Sequence, residues 1–196
     1  MDLTLPGLLR LARETIQDPK GGARRIMAID APMGARWSAL ALMAVASALL
    51  THASFALAPP ATRDFFATAM ASPLRTAVLQ GAAMVLGVMA IHRIGVARGG
   101  RGALPEAISL MAWLQFILLV LQVAQLVAQV ILPPLAEIIG VLGIGLFFYL
   151  LTNFVAELHG FRSLASTFMG ILATMILIAF VLALLLGAVT GPAQVA

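Results

Sequence analysis

Five stretches of apolar side chains, interrupted by short polar segments, dominate the pattern of the chain. They cover residues 37–58, 74–94, 106–131, 135–156 and 164–187. A hydrocarbon core about 30 Å thick takes about 20 helical residues to cross, so five crossings consume about 100 residues. That is half of the 196 present. The pattern therefore predicts an all-α, polytopic membrane protein with five transmembrane helices. Trp37 opens the first span at headgroup depth and Pro59-Pro60 closes it. The loop after it, 61–73, carries Arg63, Asp64, Phe65 and Phe66, and is expected to lie on the membrane surface with its rings in the interface. Leu132-Pro133-Pro134 joins the third and fourth spans. So short a joint allows a tight helical hairpin or a kink; a kink would leave four spans and move the C-terminus to the other side.

The first 36 residues differ in character. Leu5, Leu8, Leu9, Ala12 and Ile16 recur at helical spacing, with Arg10, Arg13, Glu14 and Gln17 elsewhere on the wheel. This predicts a short amphipathic helix lying in the membrane interface. Asp18-Pro19 supplies an N-cap and an N1 proline for a second short helix to about Ile29, carrying Arg24 and Arg25. The competing reading is a weakly ordered tail, because Gly21-Gly22 lowers helix propensity. The chain thus divides into an amphipathic segment (1–36), a five-helix domain (37–189) and a short external tail (190–196).

Composition sharpens the class. Hydrophobic residues make up 62% of the chain and charged ones 10%, against roughly 25% charged in a soluble domain. A soluble globular enzyme and a disordered chain are both excluded. The pI near 11.1 does not argue for nucleic acid, since the net charge is only +4 and no run of Lys/Arg exceeds two. No cysteine is present, which removes disulfides and thiolate metal sites. No signal peptide is expected.

The basic residues instead report topology. With the N-terminus inside, inner segments hold Arg10, Arg13, Lys20, Arg24, Arg25, Arg36, Arg93, Arg98, Arg101 and Arg162, ten of the twelve. Arg63 and Arg75 remain outside. The positive-inside rule then gives N-in, C-out.

Polar groups within the spans each need an account, because hydrocarbon penalises them. Gln115, Gln122, Gln125 and Gln129 fall within about 80° of arc on the third span. They extend over about 21 Å of helix. Such a seam either lines a solute path or bonds this helix to its neighbours, and interhelical bonding is the commoner use. A second group gathers at the inner helix ends: His92, Arg93, Glu106, Asn153, Glu157, His159 and Arg162. It reads as an ion-pair clasp with snorkelling arginines, or as a patch binding a partner or a headgroup. Glu157 is expected to pair with Arg93 or Arg162. His92, Glu157 and His159 lack diagnostic metal spacing, so no metal or other cofactor is assigned. Glu137 is expected to sit at a helix N-terminus, favoured by the macrodipole. Gly99-Gly100-Arg101-Gly102 reads as a flexible cytoplasmic turn, not a phosphate-binding loop, for want of a preceding strand. Small residues (Ala83 with Gly87; Ala136, Gly140, Gly143, Gly145; Gly170 with Thr174) mark close helix contacts. Signatures of common hydrolases and nucleotide-binding enzymes are absent.

Several short motifs occur in a telling order: Asp18-Pro19, Ala23-Arg24-Arg25, Gly99-Gly100-Arg101-Gly102, Pro105-Glu106-Ala107, Trp113-Leu114-Gln115 and His159-Gly160-Phe161-Arg162. With five spans between and around them, the whole chain resembles a bacterial member of the Yip (Ypt-interacting protein) family of integral membrane proteins. The resemblance implies a multispanning fold with a cytoplasmic N-terminus. Eukaryotic relatives are associated with Rab-type GTPases; this chain has a short N-terminal region and lacks the eukaryotic signature between the first spans, so Rab binding is not carried over. The expected role is a non-enzymatic scaffold, assembly factor or accessory subunit in the bacterial inner membrane. Its expected partners are the lipid bilayer and a membrane protein or second copy, with no nucleic acid. The alternative is a small transporter or channel along the glutamine seam. An intramembrane enzyme is a third, weaker option.

Overall fold

The computed structural model describes residues 4–58, 60, 63 and 72–190. They form seven helices and, among the described residues, no strand. Two short helices, α1 (Leu5–Gln17) and α2 (Pro19–Met27), precede five long ones. These are α3 (Met33–Ala56), α4 (Pro73–Ala97), α5 (Leu104–Ile131), α6 (Pro133–His159) and α7 (Leu164–Thr190). All five are long and apolar enough to cross a membrane. The segment with Phe65 and Phe66, and the tail after Thr190, lie outside the described residues.

Leu132 alone separates α5 from α6. Pro133 and Pro134 occupy the first turn of α6, where a missing N–H costs no hydrogen bond. Gln125 meets Gly140, Leu121 meets Gly143, and His159 meets Gly102. Residue numbers on the two helices run in opposite directions, so the joint is an antiparallel hairpin and not a kink. α3 and α4 are likewise antiparallel, with His52 on Thr76 and Thr51 on Gln80. α3 and α5 are parallel, with Arg36 on Ser109, Ser47 on Gln122 and Ser54 on Gln129.

Four of the long helices, α3 to α6, are longer than a bilayer needs, and their polar side chains put the surplus at one end. α5 has 28 residues, about 42 Å at 1.5 Å per residue. That exceeds the hydrocarbon core by about 12 Å. Counting about 20 residues from the far end of each helix reaches Arg36 on α3, Arg93 on α4, Trp113 on α5 and Asn153 on α6, within a residue. Four separate helices thus change from hydrocarbon-compatible to polar or amphipathic side chains at one level. The core straddles this level: Ile108 is fully buried beyond it and Val88, Leu114 and Leu150 on its hydrocarbon side, joined by Ala12, Ala23 and Ile26 from α1 and α2. Below it the bundle faces outward: Val123, Val127, Val130 and Ile131 of α5 are exposed, as are Ile138, Val141, Leu142 and Ile144 of α6. Apolar side chains left outward over that length are suited to lipid contact.

The amphipathic segment is a folded part of this core, which removes the tail reading. The Asp18 carboxylate accepts from Gly21 N–H at 2.9 Å and Pro19 follows as the first helical residue, so α2 starts as expected. Gly22 lets α2 close on α1: a Cβ there would stand 2.6 Å from the Thr15 side chain. Thr15 donates to Leu11 O at 2.8 Å and accepts from Trp113 Nε1 at 3.2 Å. Arg25 pairs with Glu14 across the two helices.

Arg36 fixes the passage from α2 into α3. Its residue is only 9% exposed, yet among the described residues no carboxylate pairs with it. The guanidinium donates to Ala31 O at 2.9 Å, Ile29 O at 2.8 Å, Pro105 O at 3.1 Å and the Ser109 hydroxyl. Its five donors in a rigid fork suit several carbonyls at once. Arg36→Met strands these acceptors, each costing about 1–3 kcal/mol when buried. We expect a loss of about 3 kcal/mol or more in denaturation of the detergent-solubilised protein. Arg36→Lys, which keeps the charge but not the fork, should lose less.

Candidate functional site

Two groups of polar side chains were expected, and the fold disposes of them differently. The glutamines divide. The Gln122 amide donates to the Thr51 hydroxyl at 3.1 Å and its carbonyl accepts from Ser47 at 3.3 Å. Gln129 donates to Ser54 O at 3.2 Å. Both are therefore committed to α3. Gln80 of α4 also donates to Thr51, at 3.4 Å, so one hydroxyl joins three helices. Gln125 points the other way, over Gly140 of α6. With Leu118, Leu121, Gln122, Ile139, Gly143, Ile144 and Phe147 it lines an open cleft of about 290 Å³ between α5 and α6. Gln115 is half-buried and makes no hydrogen bond within the described residues.

The second group does gather at one end of the bundle. At its centre is the Gly102 peptide, held from both sides by histidine. Its N–H donates to His159 Nδ1 at 3.2 Å, and its carbonyl accepts from His92 Nδ1 at 3.2 Å. His159 Nε2 donates to Ile91 O at 3.1 Å. An Nδ1 that accepts and an Nε2 that donates define the neutral Nε2–H tautomer. The ring lies in a cradle of glycines. A Cβ on Gly95 would stand 2.1 Å from Nε2, one on Gly100 2.4 Å from Nδ1, and one on Gly102 2.9 Å from Cε1. Phe161 stacks on the ring at 5.4 Å between centroids. Gly160, at φ 72°, ends α6 in the left-handed conformation that glycine adopts without strain. The 98–103 loop is thus not a free turn; backbone bonds to two histidines order it.

Other members of the group sit around this clamp. Glu106 accepts from Ala103 N–H at 3.1 Å and closes the first turn of α5. Asn153 is buried and donates to Tyr149 O on its own helix at 2.8 Å. Glu157 pairs with neither Arg93 nor Arg162. Its partner is Arg24 of α2, at 3.0 Å. The expectation failed because it treated the membrane-flanking arginines as the available cations, whereas α2 folds back against α6. Arg93 and Arg162 are exposed. Arg98 spans to α7 instead: it donates to the Ser166 hydroxyl at 3.2 Å, lies 5.9 Å from the centre of the Phe161 ring, and rests against Gly170. Gly170 therefore accommodates an arginine and not a neighbouring helix. Glu137 is exposed and stands past the first turn, since α6 begins at Pro133, where the dipole effect has faded. Gly87 meets Met111 as a packing glycine should, but Ala83 faces outward.

Among the described residues no three His, Asp or Glu side chains converge as metal ligands. Both nitrogens of His159 are taken up by backbone groups. The arrangement can hold a loop and three helix ends together, and it leaves a rim of exposed arginines.

Sequence reasoning missed Arg24, Arg36, Arg98 and the Thr15–Trp113 bond as parts of this end. The spacing of Gly95, Gly100 and Gly102 was the available signal that a ring fills the space they leave. Gly95→Ala tests it. Alanine in a helix interior gains about 1 kcal/mol over glycine, but overpacking costs about 1–3 kcal/mol. At 2.1 Å from a packed ring the clash wins, so the variant should be less stable, with faster amide exchange in the 98–103 loop. In a His159→Ala background the same change should become neutral or favourable, because its methyl enters vacated space.

No curated protein and no solved structure matched the chain. The family model of the Yip1 domain matches residues 13–185. The matched region starts near the end of α1 and stops within α7, so it takes in α2, the histidine clamp, four long helices whole and most of the fifth. The chain belongs to the Yip family of integral membrane proteins.

Proposed function

We propose that this protein is a non-enzymatic scaffold, assembly factor or accessory subunit of the bacterial inner membrane, working by helix packing. Its N-terminal end would face the cytoplasm, on the weight of the ten basic residues at that end against two elsewhere. Its target would be one transmembrane segment, from another membrane protein or from a second copy, seated in the cleft between α5 and α6.

One observation carries this reading. Gln122 and Gln129 spend their amides on α3, so the seam is used for assembly and does not present a continuous polar face to a solute. Gln125 is left in a cleft floored by Gly140 and Gly143. The side chains of Gln125 and Leu121 cover these two glycines in part, and a glutamine beside the open space gives an incoming helix a hydrogen bond where no water competes. The transport alternative needs an unbroken polar path along Gln115, Gln122 and Gln129, and two of these three are otherwise engaged.

The test is Gln125→Leu, compared with wild type by gentle detergent extraction and identification of co-purifying chains. An intramembrane amide bond is worth about 0.6–2 kcal/mol, so recovery of a companion or of a homodimer should fall by about three- to thirtyfold. Undiminished association with loss of solute flux in proteoliposomes would transfer the assignment to transport.

A further inference from the structure

The outward face of α1 is divided lengthwise in a way that its docking on the bundle makes informative. Taking Leu5 as zero and about 100° per residue, Thr15, Leu8 and Ala12 lie at about 280–340°. This is the side that meets the core: Thr15 and Ala12 are buried, and Leu8 packs against the buried cluster. Leu5, Leu9 and Ile16 follow at about 0–40°, yet they are 63%, 40% and 38% exposed. Arg13 and Arg10 come next, at about 80° and 140°, and both are exposed. Glu14, the carboxylate of the same helix, is committed to Arg25. The order around α1 is therefore bundle, apolar stripe, free cations, water.

The height of the C-terminal end of α1 is also fixed. Thr15 bonds to Trp113, and Trp113 is the residue of α5 that falls at the hydrocarbon boundary when the span is counted back about 20 residues from Ile131. An apolar stripe at that height faces the acyl boundary, and the arginines beside it stand at the level of the phosphates.

We propose that α1 binds the surface of an anionic phospholipid leaflet: Leu5, Leu9 and Ile16 enter the acyl boundary, and Arg10 and Arg13 hold lipid phosphates. Charge complementarity selects this occupant over an apolar protein face, for which two uncompensated arginines along one edge would be a penalty. Because α1 is bonded to α5, lipid binding there also sets the depth of the whole bundle. This proposal does not depend on the occupant of the α5–α6 cleft.

The chain has no cysteine, so Leu9→Cys takes a single environment-sensitive fluorophore. The labelled protein is reconstituted in phosphatidylcholine vesicles with and without phosphatidylglycerol. Val141→Cys, on a 70% exposed position of α6, is the reference. The position-9 probe should be quenched by a spin label carried high on the lipid acyl chain and shielded from aqueous iodide. Spin-labelled phosphatidylglycerol should quench it at about tenfold lower mole fraction than spin-labelled phosphatidylcholine, given two arginines near an anionic surface. High salt, or Arg10→Gln with Arg13→Gln, should bring the two lipids to parity, while position 141 shows no preference throughout. Quenching by iodide and not by lipid overturns the proposal. So does equal quenching by both lipids in the unsubstituted background, or shielding that rises with protein density, which would assign the stripe to a second copy.

Discussion

A bilayer core offers no water to a polar group, and this constraint orders the whole molecule. Four of the five long helices carry more length than the hydrocarbon needs, and their polar side chains mark the overrun at one end. Arg36, Arg93 and Asn153 mark one level on three helices, with Trp113 marking it on a fourth. Beyond that level the chain can build as a soluble protein does, with capped helices and a tied loop over a buried core that straddles the boundary. Within the hydrocarbon its polar atoms depend on one another for hydrogen bonds. Thr51 serves Gln80 and Gln122 there, and Ser54 O serves Gln129.

The end beyond the boundary is held chiefly by backbone groups, and ion pairs contribute little to it. Arg36 is solvated by three carbonyls and a hydroxyl. The Gly102 peptide is bonded at both its N–H and its carbonyl by histidines from two helices. The ion pair between Arg24 and Glu157 is partly exposed, with 59% and 22% of the side chains accessible, and pairs of that kind are worth about 1 kcal/mol or less. It guides α2 onto α6, but the Thr15–Trp113 bond and the glycine contact at Gly22 fix the seat.

Much of this was legible in the sequence, for physical reasons. Span length is set by bilayer thickness and boundaries by proline and by charge, so all five long helices lie where the apolar runs put them. Asp18-Pro19 announced α2 by cap chemistry that acts within four residues. What stayed hidden is what depends on distant folding. Nothing local separates Arg36, buried among carbonyls, from a snorkelling arginine such as Arg93. The partner of Glu157 lies 133 residues away on a helix whose return path no periodicity encodes. The choice between hairpin and kink at Leu132-Pro133-Pro134 turned on whether Gly140 and Gly143 face α5, which is a matter of packing. The candidate site was legible as a gathering at one end, but not as a clamp.

The central claim is that the hairpin at Leu132 returns the chain, so that Arg36, the histidine clamp and the Arg24–Glu157 pair lie at one end of the bundle and Leu132 at the other. Cysteine accessibility tests it most directly, since the chain has none of its own. Single cysteines at Lys20, Arg101 and Arg162 should react with an impermeant maleimide from one side of sealed vesicles, and a cysteine at Leu132 only from the other. Labelling of Leu132→Cys from the same side as the other three would contradict the account.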